Sequence, residues 1–473
     1  MFVLSRAFPD SVVYDDPLPA IIAAVFLFLC YLNILVAHYD EIKKLAPSSI
    51  RFIIAILITL SAVSIVSLPT SISVLGIVIS LGFTLSLFSP VCAVNVFMTL
   101  LIIRPWELSR PHPVLLLIPK SSAGIALLSW LLYMFIKGRI TIYWCLPFTL
   151  LSAWIGWIAL NTLLLGGDIG KVAEDLIPAT VVTLLLYNTP QRLTDIALIR
   201  SILLTSISAV ITNAYYLTLT YSSLLNGGRL ETIGFWSNSN DLGSLTAISI
   251  PIVATTFLIA KPTRLEGSRF SALIVLLLLL MTTWHTQSRA TLLAAALSLT
   301  IAASFSISKR YQVAKIVLGM VIVIGGIFST FMLERNESDL EGSSESRKGF
   351  IIAGLKMAAD SPLLGMGYRK FPVYYDQYAT TFIETGPRDA HNSWILPLAE
   401  TGLPGFIVFT TFMFLIAKSA WQLRHSFPLF FVTFLSYVIT MSFLSHTYLF
   451  LPYLICGWIL GATRVINDDP KNL

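Results

Sequence analysis

The chain has 473 residues, 56% of them hydrophobic and 12% charged, with a formal net charge of +6 and a mean hydropathy of +0.81. A soluble domain carries about 25% charged residues, so this chain lacks the polar groups to cover a water-exposed surface. The positive charge fits basic loops on one side of a membrane. No basic patch interleaved with aromatics lies outside the apolar runs, so nothing points to a nucleic-acid partner.

Apolar runs of roughly 15–25 residues, about the length that crosses a bilayer, recur along the chain. The first, Leu18–Ala37, follows Asp10, Asp15 and Asp16. A cleaved leader opens on basic residues instead, so this run is expected to stay as a helix. Next come Phe52–Leu68, Ile72–Ile103 (broken at Pro90), Ser122–Ile136, Tyr143–Leu165 and Ile196–Tyr221. Asp175–Tyr187 is too short to assign. The second half contributes Leu242–Ala260, Ser271–Trp284, Ala290–Ser306, Tyr311–Leu333, Gly402–Ala417, Leu429–Leu444 and Tyr448–Gly461. The expectation is an all-α polytopic membrane protein with about 12–14 transmembrane helices and one large loop containing short helices. Cys30, Cys92, Cys145 and Cys456 lie in apolar runs without metal spacing and read as small core residues.

Lys and Arg in short loops set orientation. Lys43, Lys44 and Arg51, then Arg192 and Arg200, then Lys261, Arg264 and Arg269, then Lys309, Arg310 and Lys315, then Lys418 and Arg424 mark the cytoplasmic side. Alternation then puts Arg229–Asp241, His285–Arg289 and Glu334–His391 together on the outer side. Within the long loop, Phe350, Ile351, Leu355 and Ala358 are expected to share one face of an amphipathic helix at the interface, ended by Pro362, Gly365 and Gly367. Arg229, Arg289, Arg347, Arg369, Arg388 and His391 therefore converge on the outer boundary. That runs against the usual charge bias.

Three stretches carry chemistry. In TQSRATLL, Arg289 stands between two apolar runs; it either snorkels at a helix end or presents its planar fork to a phosphate. In NGGRLETIGFWSNSNDLGSL, Asn238, Asn240 and Asp241 precede a helix. A cap accounts for one of them, not for all three; Arg229 is a candidate anion ligand. In GPRDAHNSWILPLAETGLPGF, His391 supplies an imidazole, the side chain suited to accept a hydroxyl proton near neutral pH, neighbouring arginines favour its neutral form, and Asn392 can orient a ring or a sugar hydroxyl. Glu400 lies nine residues on, about 180° round an ideal helix. It shares a face with His391 only if the helix breaks, as Pro397 and the Gly402–Gly405 turn allow. Its reading stays open between ligand contact and structure.

There is no phosphate-binding G-x-x-x-x-G-K-[ST], no D-x-D, no H-E-x-x-H and no cysteine–histidine metal set. Any chemistry must use a donor already activated at the outer face, and a lipid diphosphate meets that condition. Tyr368, Tyr374, Tyr375, Tyr378 and Phe382 are candidates for stacking on sugar rings, though interfacial tyrosines are common.

The stretch AHNSWILPLAETGLPGF resembles the H-N-x-x-[L/W]-x-x-x-x-E-x-G-x-x-G signature of the O-antigen ligase and polymerase superfamily. TQSRATLL resembles its S-R element, GFWSNSNDLGSL its asparagine-containing segment, and RKGFIIAGLKMAADSPLLGMGYRKF the opening of its periplasmic loop. RPWE at Arg104–Glu107 is similar to some ligase-like members. The SNSND stretch departs from the N-P-N of many members.

The resemblance implies a metal-independent, cofactor-free glycosyltransferase of the GT-C-like class in the bacterial inner membrane. It would have N-terminal helices over 1–225, a catalytic core over 226–464 with a periplasmic loop over 334–391, and a cytoplasmic tail over 465–473. The donor would be a glycan on undecaprenyl diphosphate, and the acceptor a glycan, lipid A-core or protein. By the resemblance His391 is the base and Arg289 and Arg229 hold the diphosphate; their residue chemistry and place near the outer boundary make Arg347, Arg369, Arg388, Asn392 and Asn240 candidate substrate contacts, with Glu400 open between contact and structure. A polymerase or a protein O-oligosaccharyltransferase shares the signature. A transporter or flippase is the reading from another class, disfavoured by charges gathered at one face rather than at the midplane.

Overall fold

The computed structural model describes residues 16–39, 55–59, 61, 70–108, 113–138, 142–221, 229–259, 269–306, 337–379 and 388–468. The expected span Tyr311–Leu333, most of Phe52–Leu68, Phe382 and the basic clusters 43–51, 261–264 and 309–315 lie outside these residues. Sixteen α-helices occur among the described residues: α1 Leu18–Ala37, α2 Thr70–Leu85, α3 Pro90–Ile103, α4 Pro113–Leu116, α5 Ile118–Ile136, α6 Leu146–Leu164, α7 Ile169–Asn188, α8 Leu193–Tyr221, α9 Ser239–Val253, α10 Arg269–His285, α11 Arg289–Ser306, α12 Glu337–Asp360, α13 Phe371–Tyr378, α14 Ile395–Gln422, α15 Pro428–Met441 and α16 Phe450–Asp468. Seven segments are long and apolar enough to cross a bilayer, and four shorter apolar helices accompany them. The chain is an all-α polytopic membrane protein.

Local chemistry explains the boundaries. Ile72–Ile103 is two helices, because Ser89 caps α3 through the Cys92 N–H and Pro90 occupies its first turn. Asp168 accepts from the Gly170 and Lys171 N–H groups and starts α7, which makes the short apolar run 175–187 part of a 20-residue helix. Pro251 in α9 is followed by a π-turn over Ala254–Ile259. The candidate spans built on α3 and α16 are each 89% buried, whereas those of α5 and α14 are 33% buried. An all-round apolar helix with that burial is interior; the outward leucines and phenylalanines of α5 and α14 suit lipid.

Hydrogen bonds between helices define two ends of the bundle. At one, Asp16 before α1 accepts from the hydroxyls of Tyr216 and Tyr221 at the end of α8. There too Trp236 donates to the Ile102 carbonyl of α3 and Asn161 of α6 donates to the Leu364 carbonyl of the large loop. At the other end, Arg464 donates to the Tyr187 carbonyl, Asn188 accepts from the Tyr143 N–H, and a cavity of about 480 Å³ is lined by His38, Trp130, Lys137 and Arg192. All the sequence-predicted site residues belong to segments at the first end.

Helix α12 corrects one expectation. Phe350 and Ala358 are buried as expected, together with Ala353, Gly354 and Met357, while Ile351 and Leu355 are exposed. The apolar run is longer than one stripe, and packing against α14 selects the stripe that holds Ala353 and Gly354. Cys30, Cys92 and Cys456 are buried free thiols, as expected of core residues; Cys145 is only partly buried because it precedes α6.

Candidate active site

His391 does not lie on a helix. It sits four residues before α14 in a left-handed conformation with φ 45°, so the angular separation from Glu400 on an ideal helix does not apply. A non-glycine residue held there costs roughly 1–2 kcal/mol and persists only where neighbours over-determine it. The neighbours are in the loop 442–449. The His391 N–H donates to Ser445 Oγ at 2.9 Å, and the Ser393 N–H donates to the Met441 carbonyl at 3.1 Å. Ser393 Oγ donates to the Leu444 carbonyl at 2.5 Å and accepts from the His446 N–H at 2.9 Å, and Thr447 Oγ1 donates to the Ser393 carbonyl at 2.8 Å. The imidazole of His391 lies 5.6 Å, centroid to centroid, from Phe350 of α12. Asn392 caps α14: its Oδ1 accepts from the N–H groups of Trp394 at 2.9 Å and Ile395 at 3.0 Å.

A second group forms around Arg229. Its Nε and Nη2 both donate to the Thr286 carbonyl at 3.1 Å, and Nη2 reaches Asn240 Oδ1 at 3.3 Å. The Leu230 N–H donates to the His285 carbonyl at 2.9 Å. These bonds lay the Arg229 segment along the turn that delivers Arg289 to the first position of α11. Gln287 in that turn is left-handed, φ 49°. Gly243 lets α9 and α11 meet closely, since a Cβ there would stand 2.2 Å from Thr291 Oγ1. Burial raises the pKa of the neighbouring Glu231 carboxyl, opposed by Arg229 and by the hydrogen bond from Ser239.

The three-residue polar group before α9 divides its work. Asn238 is the cap, accepting from the Asn240 N–H at 2.9 Å. Asn240 meets Arg229. Asp241 Oδ1 lies 2.9 Å from Nε2 of His446. Sequence reasoning missed His446, a lone histidine in a short turn; the only available signal was the polar string SHTY between two apolar runs.

The P-L-L-G-M-G-Y-R stretch and Glu400 form a separate joint. Gly402 breaks α14 with φ 67° and ψ −173°, which turns out carbonyls that a continuous helix would use. The Ala399 and Glu400 carbonyls accept from the N–H groups of Met366 and Gly367, both at 2.9 Å, and Thr401 accepts from Trp157 Nε1 at 2.9 Å. The Leu403 N–H donates to the Pro362 carbonyl at 2.8 Å. Gly365 is left-handed, and a Cβ there would come 2.5 Å from the Glu400 carbonyl carbon. The fully buried Glu400 carboxylate accepts from the N–H groups of Arg369 at 3.0 Å and Phe371 at 2.8 Å. It sits at the start of α13, where the helix dipole favours an anion.

The remaining predicted contacts are spread more widely. Arg369 Nε pairs with Asp175 of α7 at 2.9 Å; burial opposes its charge, but Tyr368 and Asp175 hold its pKa above the ordinary value. Tyr368 donates to the same carboxylate at 2.8 Å, and burial together with Asp175 pushes its hydroxyl well up. Arg347 stands over the Phe443 ring at 5.5 Å, which brings it to the loop that grips His391. Arg388 is partly buried three residues before His391. Of the candidate stacking rings, Tyr375 is 1% exposed and packed between Phe350 and Phe371, which removes it from any sugar face. Tyr378 donates to Asp360 at 2.8 Å. RPWE is an architectural clamp: Glu107 accepts from Arg104 at 2.6 Å and from the Phe235 N–H at 2.7 Å.

One segment of this chain, residues 245–410, matches the family model described as O-antigen ligase. The match runs from α9 through Arg289, the large loop and His391 to the middle of α14, and it supports the O-antigen ligase and polymerase superfamily. No curated protein matches the chain.

Proposed function

We propose that this chain, which carries an O-antigen ligase family segment, is a membrane glycosyltransferase of the ligase type. It takes a glycan from undecaprenyl diphosphate and transfers it to an acceptor hydroxyl at the outer face of the bacterial inner membrane. The observation that carries the reading is convergence. The Arg229–Thr286 junction beside Arg289, and the strained His391 turn, come from segments far apart in sequence and stand at one end of the bundle. We assign the other end, where Lys137 and Arg192 line the cavity, to the cytoplasm, the side on which basic residues of short loops stay.

In this reading Arg289 and Arg229 hold the donor diphosphate through their guanidinium charges, with Nε and Nη2 of Arg229 fixed by Thr286 and Asn240. The His391 imidazole takes the proton from the acceptor hydroxyl as its oxygen attacks the anomeric carbon. The anomeric carbon–phosphate oxygen bond breaks, undecaprenyl diphosphate leaves with the electron pair, and the anomeric configuration inverts. The arginines stabilise the charge that gathers on the leaving group. Asn240 positions Arg229, and Asn392 positions the His391 turn through its cap. Glu400 and the Arg369 main chain support the loop from behind. The proton leaves the acceptor hydroxyl for His391, a transfer that needs no metal or cofactor.

The test uses purified protein, an undecaprenyl-diphosphate-linked oligosaccharide and three acceptors in parallel: lipid A-core, a second lipid-linked oligosaccharide and an acceptor peptide. Products are read by mass spectrometry. Extension of lipid A-core supports a ligase, lengthening of the lipid-linked chain a polymerase, and peptide modification a protein glycosyltransferase. His391→Ala is expected to lower transfer by about 10²–10⁴-fold while the protein still inserts. Wild-type turnover in that variant removes the base from the mechanism, and flipping of donor with no new glycosidic bond replaces the enzyme by a transporter.

A further inference from the structure

The turn between α15 and α16 joins the two halves of the site through one side chain. His446 is 1% exposed. Its Nε2 lies 2.9 Å from Asp241 Oδ1 at the start of α9, and its Nδ1 lies 2.9 Å from the Tyr437 hydroxyl of α15. Its ring stacks on that of Tyr437 with centroids 5.9 Å apart. An ionised carboxylate only accepts, so Nε2 carries a proton toward Asp241, and in the neutral ring Nδ1 accepts from the Tyr437 hydroxyl.

The main chain of the same loop does something different. The His446 N–H donates to Ser393 Oγ, and its neighbours Ser445 and Thr447 bond His391 and Ser393. The loop therefore grips the His391 turn with backbone and hydroxyls. Its imidazole grips the helix that carries Asn240, the partner of Arg229. A mobile 442–449 loop would leave the left-handed His391 backbone without its clamp.

We propose that His446 is a positioning residue of this site: by bridging Asp241 and Tyr437 it fixes the 442–449 loop, and so holds the base at His391 in register with the arginines at 229 and 289. The proposal rests on the reading of His391 as the base. The chemistry proceeds through His391, and His446 acts on it through the loop.

Amide replacements separate the two ring bonds. In His446→Gln the Nε2 amide replaces the imidazole Nε2 and keeps the bond to Asp241. In His446→Asn the amide oxygen stands in for Nδ1 as acceptor from Tyr437, and the bond to Asp241 is lost. The measurements are kcat and donor KM in the lipid-linked oligosaccharide assay above, with the acceptor that turns over, together with binding of undecaprenyl diphosphate alone and the thermal midpoint in detergent. The expected result is a fall in kcat of about 10–100-fold for His446→Asn, the scale of a misplaced reacting group, with KM and undecaprenyl diphosphate binding within about threefold of wild type. His446→Gln is expected to recover most of the rate. Asp241→Ala is expected to lower kcat like His446→Asn, and the double variant to be no worse than either single one, as two residues of one interaction behave.

A purely structural histidine would lower the thermal midpoint in both amide variants and leave kcat of the folded fraction unchanged; that result overturns the proposal. Additive losses in the double variant overturn it too. Should His446→Asn fail to insert, Asp241→Ala and His446→Gln decide, since wild-type kcat in the first or a full loss in a well-folded second contradicts the bridge. Wild-type turnover in His391→Ala is a different failure: it sinks the base and with it this proposal. An inactive His391→Ala beside a fully active His446→Asn sinks the positioning role alone.

Discussion

Where Pro362–Phe371 meets α14, main chain does nearly all the bonding; where His391–Ser393 meets the 442–449 loop, side chains share it. The first joint inserts an irregular segment into a helix broken at Gly402, and every carbonyl from Ala399 to Thr401 finds an N–H donor. Its glycines are required because backbone lies where a Cβ would go. The second joint uses two serine hydroxyls, a threonine hydroxyl and the His446 N–H to hold one left-handed histidine and its turn. The contrast separates anchoring from alignment. A main-chain joint stabilises the loop and gives little control over any one side chain, whereas a hydroxyl network places a particular residue.

If that division is right, damage to the first joint should appear as lost stability and damage to the second as lost rate. Gly365→Ala should have the largest effect: a left-handed alanine and an overpacked backbone contact together cost about 2–5 kcal/mol. The thermal midpoint of the purified protein should drop, with activity falling only in proportion to the folded fraction. Glu400→Ala comes next, because it strips two buried N–H groups of a charged acceptor, a loss of about 1.5–3 kcal/mol; Glu400→Gln should recover part of it. A Glu400→Ala protein that melts like wild type yet binds donor tenfold more weakly would return Glu400 to the substrate contacts. Ser393→Ala should cost least in stability, about 1 kcal/mol, yet slow turnover about tenfold through the loosened His391 turn. Unchanged kcat there would show that the second joint, too, is only an anchor.

Much of this arrangement was legible from the chain. Run lengths and basic loops were enough to place Arg229, Arg289 and His391 in segments of one side, because hydropathy and alternation are local rules. The family match over residues 245–410 covers Arg289 and His391 but begins after Arg229. The Asn238–Asp241 group was read correctly as more than one cap. Glu400, Arg369 and Asn392 were harder, since a carboxylate, a guanidinium and an amide look alike in sequence whether they meet substrate or a buried N–H. Asn392 serves as a cap, Arg369 pairs with an aspartate two hundred residues upstream in rough terms of chain distance, and Glu400 closes a helix start. His446 carried no pattern at all.

The amino-acid sequence alone determined that this chain is a helical membrane protein, because bilayer thickness and charge cost act on each segment separately. Only the tertiary structure decided which apolar stripe of α12 is buried, which polar residues are joints, and that Asp241 and His446 bridge the two halves of the site. Those outcomes depend on hydrogen-bond partners far apart in the chain, and no local property of a residue names its partner.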